Sequence, residues 1–292
     1  MPELPEVETI VRGLAKVIVG QKIISLKTTA LKGDKIIIED IKTSSNLPSI
    51  VGGVKKKFIS AVIGSTIKGI NRRGKSIIIE LSGGHSLIVH LKMTGQLIYT
   101  DSSDKVIKHT HLIFNLSDGK ELRYVDVRRF GYIKIFPSEN IFLEHPLDTL
   151  GHEPIEIKIG ELRELLSNHK IRMKSFLLNQ SFMSGIGNIY ADEILHRSHM
   201  HPLKISSNLS GKETAKLHKM IKEVLREAIE HRGSTIRDYV TSTGEAGDFQ
   251  KMHRVYNKEG KPCRCCQGKI IKIRAGGRST FFCPACQPID DK

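Results

Sequence analysis

The sequence predicts an α+β fold: a β-rich first half with a long N-terminal helix, a helical second half and a C-terminal zinc-finger β-hairpin. Three observations lead to this prediction. Short β-branched segments separated by turn residues fill the first half, apolar residues recur at helical spacing in the second half, and two Cys-x-x-Cys pairs lie near the end. With 292 residues, of which 39% are hydrophobic, the chain is long enough for two domains with buried cores.

The excess of basic residues indicates a polyanionic partner, for which nucleic acid is the natural candidate. The chain has 46 Lys and Arg against 31 Asp and Glu, a formal net charge of +15. Its sequence contains neither a membrane-length apolar run nor a secretory signal. All 5 cysteines lie after residue 262, which favours one local site in a reducing cytoplasm over a secreted disulfide framework.

The first half combines one helix with a series of strands. Apolar residues at helical spacing predict a helix from residue 5 to about residue 18. The β-branched segments that follow predict a β-sandwich or a flattened barrel. The predicted strands are 22–26, 35–38, 67–70, 76–81, 86–91, 96–99, 112–115 and 132–136. The polar stretch at 42–57 is interpreted as an excursion from the sheets.

The second half begins after a linker at 137–153, which is rich in Pro, Asn, His and Gly. Helical periodicity then predicts helices at 159–167, 173–178, 189–197 and 212–231. The glycine-containing turn 179–188, with Asn188 at a helix start, allows backbone amides to approach a phosphate. Residues 232–250 are predicted as a loop, either slack or a lid, because 241–247 is too rich in small residues to pack. The predicted domains are 1–136, 154–250 and 251–292.

The cysteine spacing predicts one structural zinc ion. Cys263 and Cys266 form one Cys-x-x-Cys pair, and Cys283 and Cys286 form the second after sixteen residues. Four thiolates match a tetrahedral zinc site and leave no open position for water. Cys265 is interpreted as a spare thiol, or as an alternative ligand in place of its neighbour Cys266.

The N-terminal residues have the composition of a nucleophilic chain end. Removal of Met1 would leave Pro2 with a secondary amine, and an α-amino group is neutral to a much larger extent near pH 7 than a lysine. Such an amine attacks a sugar carbon and forms an iminium, which is lyase chemistry. Of the carboxylates of Glu3 and Glu6, one could move protons and the other position the terminus. The alternative is that Pro5 and the glutamates only begin a helix.

One segment, 69–76, matches the phosphate-binding loop of nucleotide hydrolases letter for letter. That loop requires a following helix, whereas 77–81 is β-branched and predicts a strand. We therefore interpret Lys75 as a cation on a β-turn that faces a nucleic-acid phosphate.

A second cluster of interest is Asp126-Val-Arg-Arg-Phe-Gly131. Arg128 and Phe130 are difficult to bury together. An exposed Phe beside arginines is suited to insert into a base stack, while the neighbouring arginine reads an unpaired base. Met93, in isolation, is more typical of a core residue than of a wedge.

Over its whole length, the chain resembles bacterial formamidopyrimidine-DNA glycosylase. The resemblance rests on MPELPEVET, the GKS lysine, HLKMTG, KHTH, DVRRFG, GIGNIYADE, DYVTSTGEAGDFQ and the four-cysteine finger with GGRST, in this order. It implies a helix-two-turn-helix domain in the second half. It also implies a bifunctional repair enzyme that removes oxidised purines such as 8-oxoguanine from double-stranded DNA and then cleaves the strand. We expect such an enzyme to be a cytoplasmic monomer.

The resemblance also implies roles for individual residues. Pro2 would form the Schiff base, Glu3 would donate the proton, and Lys75 and Arg278 would assist β- and δ-elimination. The implied DNA contacts are Met93, Arg128 and Phe130 in the gap left by the everted nucleotide, and His109, Lys170 and Asn188 on the backbone. The loop 239–250 would close over the flipped base.

Two alternatives remain open at this stage. Endonuclease VIII shares the implied fold but removes oxidised pyrimidines; Leu4 and the full-length loop favour the purine enzyme. The other alternative is a zinc-dependent DNA-binding protein without catalysis, because Pro2 is not nucleophilic while Met1 is attached. The chain departs from the family at Val127, at the extra Cys265 and in the length of the excursion.

Overall fold

A computed structural model describes residues 1–28, 37–39 and 56–289. Most of the predicted excursion at 42–57 lies outside these residues, as do positions 35 and 36 of the predicted second strand. The chain divides into two compact units. The first contains Met1–Asp148 and Arg232–Gly247; the second contains Thr149–His231 and the residues from Asp248 onward. Within the described ranges, every helix is too short or too polar to cross a membrane.

The first unit is a β-sandwich with a long helix, as predicted. Helices α1 and α2 span Leu4–Ile18 and Lys56–Val62. The strands are β1 (Ile23–Thr28), β2 (Ile37–Glu39), β3 (Ile67–Arg73), β4 (Ser76–Leu81), β5 (His85–His90), β6 (Gly95–Asp101), β7 (Thr110–Leu116), β8 (Lys120–Asp126) and β9 (Tyr132–Pro137). One sheet has the order β1-β7-β8-β6, and the other has the order β2-β9-β5-β4-β3. The pairs are antiparallel except β2 with β9.

Strand β8 is absent from the strands predicted from the sequence. Its apolar pattern is interrupted by Glu121 and Arg123, which would ordinarily indicate an exposed segment. Both side chains are buried, and the Arg123 guanidinium lies 2.7 Å from the Glu121 carboxylate. The same guanidinium also donates to three backbone carbonyl groups. The two charges are therefore neutralised inside the sheet, which single-sequence periodicity does not reveal.

The apolar face of α1 fixes the N-terminus on the sandwich. Val7, Ile10 and Leu14 recur at helical spacing and are at most 1% exposed. The helix packs against β3 and β4, and its apolar residues share one core with residues of both sheets. Because each fully buried aliphatic side chain contributes about 1.5–3 kcal/mol, α1 is held firmly. The residues just before α1 are fixed with it.

The second unit consists of four α-helices and a β-hairpin, together with short turns. They are α3 (Ile159–Ser167), α4 (Met173–Leu178), α5 (Asn188–Arg197), α6 (Gly211–Glu230), β10 (Ile271–Ala275) and β11 (Arg278–Phe282). The helices agree with the predicted ones to within one residue at each end. A capping box begins α6, in which Ser210 and Glu213 bond each other's backbone N–H groups.

Helix α5 holds the cysteine-containing segment through side chains on one face. Asn188 Nδ2 donates to Ser279 O (2.9 Å), Phe281 N donates to Asp192 Oδ2 (3.1 Å), and His196 Nε2 lies 3.3 Å from Cys263 Sγ. These three side chains are spaced four residues apart and so lie above one another along the helix. The hairpin and the metal-site segment are thereby aligned on a single helix.

Glu193, also on α5, is fully buried and binds the chain just before the first cysteine pair. Its carboxylate accepts hydrogen bonds from the backbone N–H groups of Arg254, Val255 and Tyr256 at 2.9–3.0 Å. A buried carboxylate needs such donors to replace its hydration. The same contacts give three backbone N–H groups an acceptor.

We expect Glu193→Gln to loosen this segment, because the amide removes the charge and places an NH2 group among N–H donors. The expected loss is about 1–3 kcal/mol in the free energy of unfolding, with faster hydrogen exchange at the Val255 and Tyr256 amides. Glu223→Gln, at a side chain that is 51% exposed, is the control. Equal exchange rates in the two variants would contradict a role for Glu193 in holding this segment.

Candidate functional site

The chain end at Pro2 is built around the carboxylate of Glu6. Pro2 is buried, and Glu3 and Glu6 are 4% and 1% exposed, whereas Met1 is 47% exposed. Glu6 Oε2 accepts the Glu3 N–H (2.7 Å), and the Glu3 side chain caps the same helical turn in return. Pro5 and the glutamates therefore begin a helix, as the alternative expected, and Pro2 is buried directly before this capped turn.

Glu6 also binds a segment that is remote in sequence. Its Oε1 atom accepts the Ser234 N–H at 2.7 Å. Gly233 precedes this contact with φ +74°, and a Cβ there would lie 2.8 Å from Glu6 Oε1. Glycine is therefore required both by the backbone conformation and by the close approach. With two backbone donors on its oxygens, Glu6 is the carboxylate suited to positioning the chain end.

The segment 232–247 packs more closely than its composition predicted. The prediction that 241–247 is too rich in small residues to pack is wrong, because Thr241 and Ser242 are buried. Ser242 O accepts the Tyr99 N–H (2.8 Å), and Asp238 O accepts from Gln96 (2.6 Å). Small residues allow the segment to lie close to β6. Its exposed residues are Arg232, the turn 236–238 and the tip 243–246.

Lys75 lies in a two-residue turn between β3 and β4, whose end residues Arg73 and Ser76 are paired. Gly74 comes first with φ +55°, as a primed hairpin turn requires. A strand follows Lys75 where a phosphate-binding loop needs a helix, so the hydrolase alternative is wrong. Arg72 supports this turn, since its side chain bonds both Gly74 O (3.1 Å) and the Glu8 carboxylate of α1 (2.8 Å).

Charges around this turn perturb two neighbouring groups. Burial acts to raise the pKa of Glu8, but the hydrogen bonds and charges of Arg72 and Arg12 outweigh it and hold the pKa below its usual range. Burial lowers the pKa of His90 to about 3, with contributions from the charges of Lys92 and Lys75. His90 is therefore a neutral imidazole beside the cationic turn. The sequence does not mark His90 as a functional group, although its place opposite Ser76 follows from the hairpin register.

Met93, Arg128 and Phe130 project from neighbouring loops of the first unit. Met93 is 42% exposed and Phe130 is 52% exposed. The expectation that Met93 is a core residue is thus wrong, because it lies in the turn between β5 and β6. The Arg128 guanidinium carbon lies 4.6 Å from the Phe130 ring centroid, a cation–π contact. The backbone of His109 lies next to the start of the loop that carries Arg128 and Phe130, since the His109 carbonyl accepts the Asp126 N–H.

Asn188 and Arg278 belong to the second unit. Asn188 is the first residue of α5 and bonds the carbonyl of Ser279, the neighbour of exposed Arg278. Lys170 is exposed in the turn before α4. The lysine that contacts Asn188 is Lys174, which is fully buried and donates to Asn188 O (3.1 Å) and Asp192 Oδ1 (2.5 Å). The sequence did not predict that Lys174 is buried, because its partner Asp192 lies on a different helix.

The four predicted cysteine ligands converge on one point. Their Sγ atoms all lie within 4.8 Å of one another, with Cys263 and Cys286 at 3.8 Å and Cys266 and Cys283 at 3.4 Å. A tetrahedral zinc ion with Zn–S bonds of about 2.3 Å requires sulfur–sulfur separations of roughly 3.8 Å. The residues therefore fit one structural zinc ion. Cys265 is exposed and forms a second, smaller group with His196 and Cys263.

Comparison with known proteins agrees with this arrangement. The N-terminal domain model of formamidopyrimidine-DNA glycosylase matches residues 1–133, the H2TH domain model of the same enzyme matches 150–240, and a zinc finger found in FPG and IleRS matches 260–289. The chain belongs to the formamidopyrimidine-DNA glycosylase family. The activity of this family is that of a DNA glycosylase and abasic-site lyase. The fold and the structural zinc finger of the chain are as predicted.

Individual relatives match over nearly the full chain. The formamidopyrimidine-DNA glycosylases of Pelotomaculum thermopropionicum and Desulforamulus reducens are 40% and 41% identical, covering 99% and 98% of this chain and 100% and 99% of their own. A Lactococcus lactis FPG mutant in complex with Fapy-dG-containing DNA superposes with a TM-score of 0.86 at 35% identity, covering 99% of this chain and 100% of that one.

We expect metal analysis of this glycosylase to give one zinc per chain. Cys266→Ser should release the ion, whereas Cys265→Ser should retain it, because only Cys266 completes the four-sulfur site. Zinc removal should unfold the finger and abolish DNA binding, since so short a hairpin has little core of its own. Retention of zinc by Cys266→Ser together with its loss from Cys265→Ser would reverse the ligand assignment.

We expect Phe130→Ala to impair lesion processing with little change in thermal stability, because half of the side chain is exposed. Phe114→Ala, at a core position that is 2% exposed, should instead cost about 3–5 kcal/mol in the free energy of unfolding. Excision kinetics and denaturant unfolding measure the two effects. Similar stability losses in both variants would indicate that Phe130 supports the fold.

Proposed function

We propose that this glycosylase excises oxidised purines, 8-oxoguanine and formamidopyrimidines, from double-stranded DNA and nicks the strand through a Schiff base on Pro2. The observation that best supports this is the chain end itself, where Pro2 is buried beside Glu3 while Glu6 is committed to two backbone N–H groups. Without Met1, Pro2 would supply a secondary amine as the nucleophile, and its neighbour Glu3 would supply a carboxyl group as the proton donor. Removal of Met1 is part of the proposal.

In the proposed reaction, the Pro2 nitrogen attacks C1′ of the damaged nucleotide while the base leaves with a proton supplied through Glu3. The nitrogen then loses its proton, and its lone pair forms an iminium at C1′ as the C1′–O4′ bond of the sugar ring breaks and O4′ takes up a proton. The iminium acidifies the C2′ protons. Loss of that proton expels the 3′ phosphate, and a second elimination expels the 5′ phosphate. Lys75 and Arg278 are the proposed cations for these departures, because each can pair with a phosphate as it leaves.

The proposed DNA contacts use exposed and half-buried side chains described above. Met93, Arg128 and Phe130 would fill the gap left by an everted nucleotide, and a base must leave the stack before its sugar can be attacked. His109, Lys170 and Asn188 are the proposed backbone contacts, and the exposed tip of 239–250 is the proposed lid. Solved relatives from L. lactis include complexes with Fapy-dG-containing DNA and abasic-site DNA. We further propose that the enzyme is a cytoplasmic monomer.

A preference for oxidised pyrimidines is the second candidate function. A wild-type L. lactis relative, 34% identical to this chain, was solved with DNA containing an oxidised pyrimidine. Leu4 and the full-length 239–250 segment favour the purine lesion, so we place purines first. A zinc-dependent DNA-binding protein without catalysis remains the non-enzymatic outcome to be tested.

The test is covalent trapping. With a chain shown by intact mass to lack Met1, borohydride should reduce the iminium and link the protein to an 8-oxoguanine duplex far more efficiently than to a duplex with an oxidised pyrimidine. Pro2→Gly has a primary amine and should retain some trapping. Glu3→Gln should lower base excision by about 10²–10⁴-fold and affect cleavage at a preformed abasic site less.

Glu80→Gln, in β4 and outside the proposed chemistry, is the matched control and should behave like the unmodified chain. Absence of any adduct with either lesion, from a chain without Met1, would leave the non-catalytic binder as the better description. Efficient trapping with the pyrimidine lesion in place of the purine would support the second candidate.

A further inference from the structure

The three loops that carry Met93, His109 and Arg128–Phe130 meet at one buried residue, Asp126. Asp126, the last residue of β8, is fully buried. Its Oδ1 atom accepts from Thr94 Oγ1 (2.5 Å) and from the Arg128 N–H (3.2 Å). Its Oδ2 atom accepts from the Gly131 N–H (2.8 Å) and from the Tyr124 hydroxyl (3.2 Å). One carboxylate thus binds both ends of the loop 127–131 and the turn after Met93.

The main chain of Asp126 binds the third loop. Its N–H donates to His109 O (3.0 Å), and its carbonyl accepts from His111 Nε2 (2.8 Å), so the imidazole must carry a proton on Nε2. Thr94 Oγ1 accepts the Arg128 N–H in addition (3.0 Å). Burial, followed by the neighbouring carboxylate, raises the pKa of Tyr124, so this hydroxyl keeps its proton and remains a donor.

The backbone of these loops needs such support. Among the described residues, seven other than glycine have positive φ, and three of them lie here: Lys92 (+49°), His109 (+67°) and Arg129 (+55°). Residues other than glycine stay in this region only where their surroundings over-determine the conformation. Each of the three is within three residues of a main-chain or side-chain contact of Asp126 or Thr94.

We propose that Asp126, with Thr94, is a positioning residue that makes Met93, Arg128 and Phe130 act as one preorganised unit on DNA. This inference rests on the proposed function of those three side chains and names what sets their geometry. An arginine that reads an unpaired base must hold its direction to discriminate among bases. A displacement of about 1 Å in such a group is enough to cost roughly 10²-fold in rate.

The decisive substitution is Asp126→Asn, which preserves size. An asparagine has one acceptor oxygen, so its NH2 group must face either the Arg128 N–H or the Gly131 N–H. A backbone N–H group cannot accept a hydrogen bond, so one of the two loses its acceptor and faces another donor. We expect single-turnover excision of 8-oxoguanine to fall by about 10²-fold, and the ratio of excision rates opposite dC and opposite dA to move towards one. A loss of folded enzyme would lower both rates equally and leave this ratio unchanged.

A double-mutant cycle shows whether Asp126 acts through Arg128. If it does, Asp126→Asn should add little to the defect of Arg128→Ala. Glu121→Gln, a buried carboxylate on the same strand, is the matched control and should combine additively with Arg128→Ala. Thr94→Val removes one hydroxyl at constant shape and should give a smaller change of the same kind, which provides the test if Asp126→Asn does not fold.

The outcomes for this inference and for the proposed function are separable. An unmodified enzyme that neither excises nor traps would refute the proposed function. An active unmodified enzyme, with an opposite-base ratio unchanged in both Asp126→Asn and Thr94→Val, would overturn the positioning role and leave the function intact.

Discussion

The buried carboxylate of Glu6 is the interaction on which the first unit's functional end depends. It is placed by α1, whose apolar face is held in the sandwich core, and it ties both the chain end and the segment 232–247 to that helix. Removing such a group from water is costly unless every oxygen gains a donor. The donors here are backbone N–H groups at Glu3 and Ser234. The hydrogen bonds that replace the hydration of the Glu6 carboxylate therefore also join the N-terminal residues to the segment 232–247.

Local sequence signals predicted much of the fold. The helices of the second unit were placed to within a residue because amphipathic spacing is contained in the helical segment itself. The zinc ligands followed from spacing alone, since two short Cys-x-x-Cys turns define most of a tetrahedron. The turn at Lys75 was correct for a similar reason, because the β-branched residues after it exclude a helix.

What the sequence did not predict depends on distant partners. Strand β8 was missed because Arg123 reads as a surface residue until its ion pair with Glu121 is known. The buried Thr241 and Ser242 were expected to be slack, since small residues indicate packing only once the neighbouring strand is seen. His90 and Asp126 belong to recognisable motifs, but the contacts of His90 depend on the register of the sheet, and those of Asp126 depend on how three loops pack together. Periodicity and spacing do not encode either.

The order in which the chain visits the two units has a consequence for how this protein can be divided. The chain leaves the first unit near Asp148, builds α3 to α6, returns with Arg232–Gly247 and leaves again. A fragment that ends at the first crossing would retain both sheets and α1 but would lack Ser234 and its neighbours. The Glu6 carboxylate would then lose the hydrogen bond that Oε1 accepts from the Ser234 N–H. Because the first unit is discontinuous in sequence, recombination cannot transfer it as one contiguous segment. Substitutions at Gly233 and in α1 must also remain compatible with each other, although more than two hundred residues separate them.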